Sequence, residues 1–588
     1  KTAGGGTEIQ THRLALSAQN DILVPPADVL VRMQPARDGK PASGAVELDG
    51  VDVDALLRLT PYLPMPAGAR KRIAEVSPQG RFDAFSLTWE GDPGAPQRYS
   101  LKGNFSRLGM RPYGKIPGLT GVSGKVAADE KGGSLTLSSR NARVDMPRVF
   151  REAIALDTLD AQVSWKMRDG KAQVTLSSVA FANTQVAGDA YGSYETVPGG
   201  AGIIDLTGRI SRADARYVGH YIPLVVAQEA RDWLDKAFLA GRASDARLRL
   251  KGDLERFPFV SSRDGTFQVS AKANGVTLLY GEDWPKIENL DGDLLFEGAR
   301  MEVNARQGSI HGVKITRVRA VIPDLMATGT ELDVNGETMG ATDDALRFLN
   351  DSPVRKKVEG FANGLKATGN GRLALNLRVP LAHPQDTTVS GLYQFLDNQI
   401  EGADIPSMEH VNGNLLFTES GITVQNATAR IFDGPATINA STGADGSVHV
   451  VASGRMAAGG LKKLVGAGIG GALTGETEWR AAVEMQKNAS DVTFDSSLTG
   501  LASSLPAPLA KRPRDAMPLH VEKRMAGAGR DVITLSCGNV VSGRITRSAR
   551  DGRMQVERGL VNVGKPMAQP DGGGLWLGVN LDELDIGR

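Results

Sequence analysis

Three stretches of this chain repeat one short phrase, and that phrase restricts the fold more than any other feature. They are Leu159-Asp160-Ala161-Gln162-Val163-Ser164-Trp165, Leu290-Asp291-Gly292-Asp293-Leu294-Leu295-Phe296 and Val411-Asn412-Gly413-Asn414-Leu415-Leu416-Phe417, which begin 131 and then 121 residues apart. In each copy the first, third, fifth and seventh positions are apolar or small. Successive side chains on a strand point to opposite faces, so each copy predicts a strand with one apolar face. The Gly or Ala at the third position leaves room for a close neighbour. The second position is Asp or Asn and faces the other way. The second and third copies follow matching lead-ins, Trp284-Pro285-Lys286-Ile287-Glu288 and Ile405-Pro406-Ser407-Met408-Glu409, and a fainter copy follows Ile116-Pro117 at Val122-Ser123-Gly124-Lys125-Val126.

A short helical pattern precedes each run of strands: Asp54 to Leu59, Gln228 to Leu234, Thr342 to Leu349 and Gly460 to Leu464. Asp54 and Thr342 are read as N-caps, because a short side-chain oxygen can take a free amide of the first helical turn. Strictly alternating strands follow, as in Arg247-Leu248-Arg249-Leu250-Lys251 and Arg372-Leu373-Ala374-Leu375-Asn376-Leu377. The fold class expected is mainly β: tandem β modules that form one long curled antiparallel sheet with an apolar trough, with one short helix per module. The periodicity places the end of a preceding module at 1–46, with a strand at Arg13-Leu14-Ala15-Leu16 and a turn at Asp38-Gly39. Modules follow at 47–209, 210–336, 337–455 and 456–588. No low-complexity linker separates them, which favours continuity over beads on a string. The phrase Val46 to Val53 returns at Val579 to Ile586, and residue 1 is Lys without a signal-peptide pattern, so a segment of a longer chain is expected at both ends.

The chain offers little for chemistry to work with. Its 68 basic and 67 acidic residues are spread along it, and no basic stripe offers itself to nucleic acid. The 70 glycines and 5% aromatic content suit short strands joined by turns. Cys537 is the only cysteine and, at the end of a predicted strand, reads as a packing residue. The seven histidines show no metal-ligand spacing, and neither a GxSxG elbow nor a phosphate-cradling GxxxxGK[ST] loop occurs. Gly466-Ala467-Gly468-Ile469-Gly470-Gly471 reads as a helix end rather than a nucleotide loop. Asp343 and Asp344 suit the first turn of a helix. No catalytic residue, metal site or cofactor is nominated, and an enzyme is not expected.

What recurs is an apolar sheet face, and alternation alone does not separate a sealed core from an open trough. Other phrases carry a resemblance: Leu505-Pro506-Ala507-Pro508-Leu509 within Ser497 to Lys511, Leu59-Thr60-Pro61-Tyr62-Leu63-Pro64, Ile287 to Phe296, and Tyr221-Ile222-Pro223 followed by Trp233-Leu234. Together they resemble the YhdP-like branch of the AsmA-like class, which includes TamB, in the Gram-negative envelope. That resemblance implies a periplasmic segment of an inner-membrane-anchored protein of the bridge-like lipid transfer type. Its partners would be phospholipids and, through segments beyond this chain, the inner and outer membranes. The alternative is a periplasmic scaffold or outer-membrane assembly factor without a lipid conduit. Strands lie about 4.8 Å apart, so roughly 20 of them running across a trough would span about 100 Å. The residues expected to line the trough are Leu159, Val163, Trp165, Leu290, Leu294, Phe296, Val411, Leu415 and Phe417 of the repeated phrases, with Leu248, Leu250, Leu373, Leu375 and Leu377 of their neighbours.

Overall fold

A computed structural model describes residues 2–3, 5–18, 22–37, 39–59, 67–114, 116–261, 263–357, 364–402, 405–486, 489–527, 529–550 and 553–581. The described residues are mainly strand. They fall into two units, one comprising 1–280, 287–304 and 321–328, the other 281–286, 305–320 and 329–588.

Each unit is built on a ladder in chain order. In the first, strands from Gly6–Ala18 through Ile154–Arg168 to Ile287–Glu297 pair antiparallel, each with the next, save that Val51–Asp52 lies beside Ser43–Asp49 and shares its partner Gln79–Asp92. In the second, the ladder runs from Glu331–Ala341 through Ile405–Thr418 to Arg553–Gly564. Among the described residues no pairing joins the last strand of a ladder to its first, so each sheet is open. Gly574–Asn580 departs from the expected pattern, since it pairs parallel with Arg553–Gly564. The connection 565–573 carries the chain back along the strand it has just left, which is what a parallel partner requires.

The expected helices form at Val53–Leu59, Gln228–Ala237, Thr342–Asn350 and Ala458–Gly470, and further ones at Ala67–Val76 and Val354–Lys357. Both N-cap assignments need correction. Asp52, not Asp54, accepts the Ala55 amide at 2.9 Å, while Asp54 accepts the Gly80 amide of a neighbouring strand. Ala341 occupies the cap before the helix at Thr342, and the Thr342 hydroxyl instead accepts from Tyr393 at 2.9 Å. In both places strand contacts compete for the side-chain oxygen that the local pattern assigns to the helix. The turn at Asp38, residues 60–64 of the Leu59 to Pro64 phrase and residues 582–586 of the terminal phrase lie outside the described residues.

The strands are bulged, and the bulges have a recurrent chemistry. Ala84, Arg107, Asp397 and Asn426 all adopt left-handed φ of 50–59° inside strands, where the pairing register shifts. A bulge sets two residues against one and bends the strand. It also turns an amide out of the ladder, and a side chain on the adjoining strand accepts it. Ala84 N–H donates to Asp49, Arg107 to Ser123, Asp397 to Asn412 and Asn426 to Asn439, at 2.8–3.2 Å. Gly275, also left-handed, donates to Asp291 at 2.7 Å. Asp291 and Asn412 are the second-position residues of two repeated phrases, so that position serves the bulge of the strand before it. Asn412→Leu is expected to cost about 1 kcal/mol locally, the value of one such hydrogen bond. Hydrogen exchange at the Asp397 amide should accelerate accordingly, and Asn412→Asp, which keeps the acceptor, should leave it slow.

Candidate functional site

Residues directly opposite on neighbouring strands share a face, so a file of partners can be followed across a sheet. In the first unit one file runs Val29, Leu48, Phe85, Gly103, Val126, Leu135, Val163, Leu176, Gly192, Leu206, Leu250, Phe267. Every member is apolar or glycine, and every member is half-buried. The file one residue along runs Glu47, Ser86, Lys102, Ala127, Ser134, Ser164, Thr175, Ser193, Asp205, Lys251 and is almost wholly polar. In the second unit a file runs Leu373, Tyr393, Leu415, Val424, Ala440, Val450, Val483, Val492, and only Ala440 is fully buried. A sealed sandwich core would bury such files outright. Here an apolar sheet face remains partly open to solvent in each unit.

Part of each face is closed. In the first unit Phe105, Val122, Leu137, Ala142, Leu156, Leu159 and Ala161 form a buried cluster. In the second, Val411, Ile431, Met456 and Trp479 lie under Leu461 of the helix Ala458–Gly470 and under Leu498 and Leu501 of the following segment. That segment contains the Ser497 to Lys511 phrase. Lys511 is buried and donates from Nζ to the carbonyls of Leu501 at 2.7 Å and Arg512 at 3.2 Å, which pins the cover in place. Cys537 packs against the same cluster, and burial pushes its thiol pKa up.

The expected lining residues therefore divide. Leu159 and Val411 are sealed, at 6% and 4% exposure. Val163, Trp165, Leu248, Leu250, Leu290, Leu294, Phe296, Leu373, Leu375, Leu377, Leu415 and Phe417 are half-buried. Register brings Leu294 opposite Ala271 and Phe296 opposite Val269, with Leu248 opposite Val269 on the other side. Leu375 and Phe417 flank Gly391. The sequence reading passed over Gln79–Asp92 and Ala95–Met110, although Phe85, Leu87 and Trp89, then Leu101, Gly103 and Phe105, carry the same alternation.

Glycines on the same faces, outside these files, have a specific use: the ring of an aromatic residue on the next strand lies over them. A Cβ on Gly44 would meet the Trp89 ring at 2.1 Å, one on Gly133 the Trp165 ring at 2.4 Å, one on Gly371 the Tyr393 hydroxyl at 2.1 Å, and one on Gly391 the Phe417 ring at 2.2 Å. With no side chain beneath it, each large ring lies along the sheet instead of standing off it. Tyr393 and Asn398 place polar groups on this face. Burial raises the Tyr393 phenol above its usual pKa, so it remains neutral. Asn398, at 0% exposure, donates from Nδ2 at 3.0 Å to the carbonyls of Thr368 and Asn370, which flank the left-handed Gly369.

Among the described residues no three His, Cys, Asp or Glu side chains gather as a metal site, and no helix is long and apolar enough to cross a membrane. The partly open apolar face can receive an apolar body; away from it the Ser447 hydroxyl meets His449 Nε2 at 2.8 Å but donates to Asp445 at 2.6 Å, so its proton is already committed to the carboxylate.

Comparison with known proteins points the same way. The curated intermembrane phospholipid transporter YhdP of Escherichia coli (strain K12) is 22% identical over 449 residues, covering 73% of this chain and 34% of the relative. The chain thus spans about a third of that protein's length. The model of the family described as YhdP protein matches residues 1–588. On that match, which takes in every residue, the chain belongs to the YhdP family.

Proposed function

We propose that this chain is a periplasmic part of a lipid conduit, in which the half-buried apolar face shelters phospholipid acyl chains on their way between inner and outer membranes. The observation that carries the reading is the unbroken apolar file from Val29 to Phe267, backed by a polar file one residue away. The modules at 47–209, 210–336, 337–455 and 456–588 would each contribute apolar floor of their own.

The physics favours such a device. Exposing an acyl chain to water costs about 0.8 kcal/mol per methylene, on the order of 12 kcal/mol for a ~16-carbon chain. A floor of aliphatic side chains removes much of that cost along the whole route, while the headgroup stays in water. Passage needs no bond to form or break, in keeping with files made of aliphatic, aromatic and glycine positions. The lining consists of the half-buried residues. Leu159 and Val411, being sealed, act in packing.

Leu294→Asp should lower lipid delivery about tenfold, because a carboxylate on the floor must be desolvated beneath each passing tail. Leu294→Ala should change delivery little. The check is transfer of labelled phospholipid, or rescue of cells lacking the protein. Equal, wild-type delivery by both variants would contradict an apolar floor, and purified chain free of lipid by mass spectrometry would favour the scaffold reading.

Gly391→Val offers an independent check. The new side chain would lift the Phe417 ring off the floor and into the path of the cargo. Reduced lipid retention is expected, together with a stability loss of about 1–3 kcal/mol from overpacking.

A further inference from the structure

The apolar face of the second unit carries charge where its last strands run. The file Val450, Val483, Val492 continues to Lys523 and then to Ile533 and Ile545. Opposite partners share a face, so Lys523 stands among apolar neighbours on the side that Val521 and Leu535 also occupy. Two residues along from Ile533 on the same side is Asp531, at 1% exposure. Arg547 lies directly opposite it and donates from Nε to Oδ1 at 3.0 Å and from Nη2 to Oδ2 at 2.6 Å. Lys523 Nζ donates to Ser490 at 3.0 Å. Lys523 and Asp531 are diagonal neighbours, about 7–8 Å apart at their backbones.

Stability does not call for this cluster. A buried ion pair can be replaced by apolar residues of similar volume with no loss, and Ile533 facing Ile545 shows such a pair on the same two strands. Among the described residues the cluster brings together the cationic side chains of Lys523 and Arg547 and the carboxylate of Asp531. The carboxylate engages the guanidinium through two parallel bonds, which fixes the guanidinium plane. Lys523 adds a compact point charge on a flexible stem whose methylenes rest on the apolar floor.

We infer that Lys523 and Arg547, with Asp531 as the residue that positions Arg547, form a station for a phosphate group on the wall of the trough. This rests on the trough reading and extends it to the polar end of the cargo. A lipid whose tails occupy the neighbouring apolar files would present its phosphodiester at Lys523. The same chemistry would accept soluble inorganic phosphate, and the test separates the two.

The experiment compares retention by the purified full chain of two lipids with identical acyl chains, dioleoylphosphatidylglycerol and dioleoylglycerol, after mixing with vesicles of each. In Lys523→Met, which keeps an apolar stem on an apolar face, phosphatidylglycerol retention should fall about tenfold, the worth of a charge-assisted hydrogen bond. Dioleoylglycerol retention should stay unchanged, and Lys523→Arg should restore the phosphatidylglycerol. Thermal melts of the variants establish that they fold. If excess inorganic phosphate displaces phosphatidylglycerol, the station also takes free anion. If it does not, the lipid phosphate is the ligand. Equal loss of both lipids in Lys523→Met, or loss of neither, would overturn the station while leaving the trough intact. A wild-type chain that retains neither lipid would overturn the trough reading itself.

Discussion

The whole arrangement depends on register. Side chains alternate with a period of two, so a one-residue slip between any two strands would send an apolar row to the polar side. Across twelve successive strands of the first unit the backbone pairing holds Val29 through Phe267 in line. Main-chain hydrogen bonds supply the continuity, and side chains supply the reason for one alignment over its neighbour. Cross-strand contacts such as Leu206 with Leu250, or Leu48 with Phe85, are the local increments of that preference.

Openness has a different origin. A sheet face closes when another layer covers it, and in the second unit the helix Ala458–Gly470 with its following segment covers only the part that holds Val411, Met456 and Trp479. Among the described residues the file through Leu415, Val450 and Val492 stays half-buried except at Ala440. One face therefore combines a packed region, which gives each unit stability, with an uncovered region available to a ligand. Stability and binding draw on the same apolar surface but on different rows of it.

Much of this was legible in the residue order, for physical reasons that also mark its limit. Alternation in Leu373-Ala374-Leu375-Asn376-Leu377 reports a two-faced strand because the period of a strand is local. The Asp or Asn at the second phrase position was legible as a pattern but not as a function, since its partner is an amide on another strand, as for Asn412 and Asp397. The N-caps failed for the same reason: Asp54 and Thr342 answer to Gly80 and Tyr393, which are distant in the chain. Whether Leu159 is sealed and Leu294 half-open depends on covering layers, which alternation does not encode. Nothing in the residue order distinguishes Lys523 from other lysines; the pairing that places it beside Ile533 is a long-range contact.

The bulges carry a consequence for how such a chain can vary. A bulge accommodates an extra residue on one strand without passing the offset to the residues beyond it. A single-residue insertion near Asp397 or Asn426 can therefore be absorbed where it falls, and the downstream strand still presents its oily side inward. Copies of the phrase spaced 131 and 121 residues apart can drift in length and stay in phase. The sheet has, in effect, its own frame correction, written in left-handed residues and the carboxamide or carboxylate groups that satisfy them.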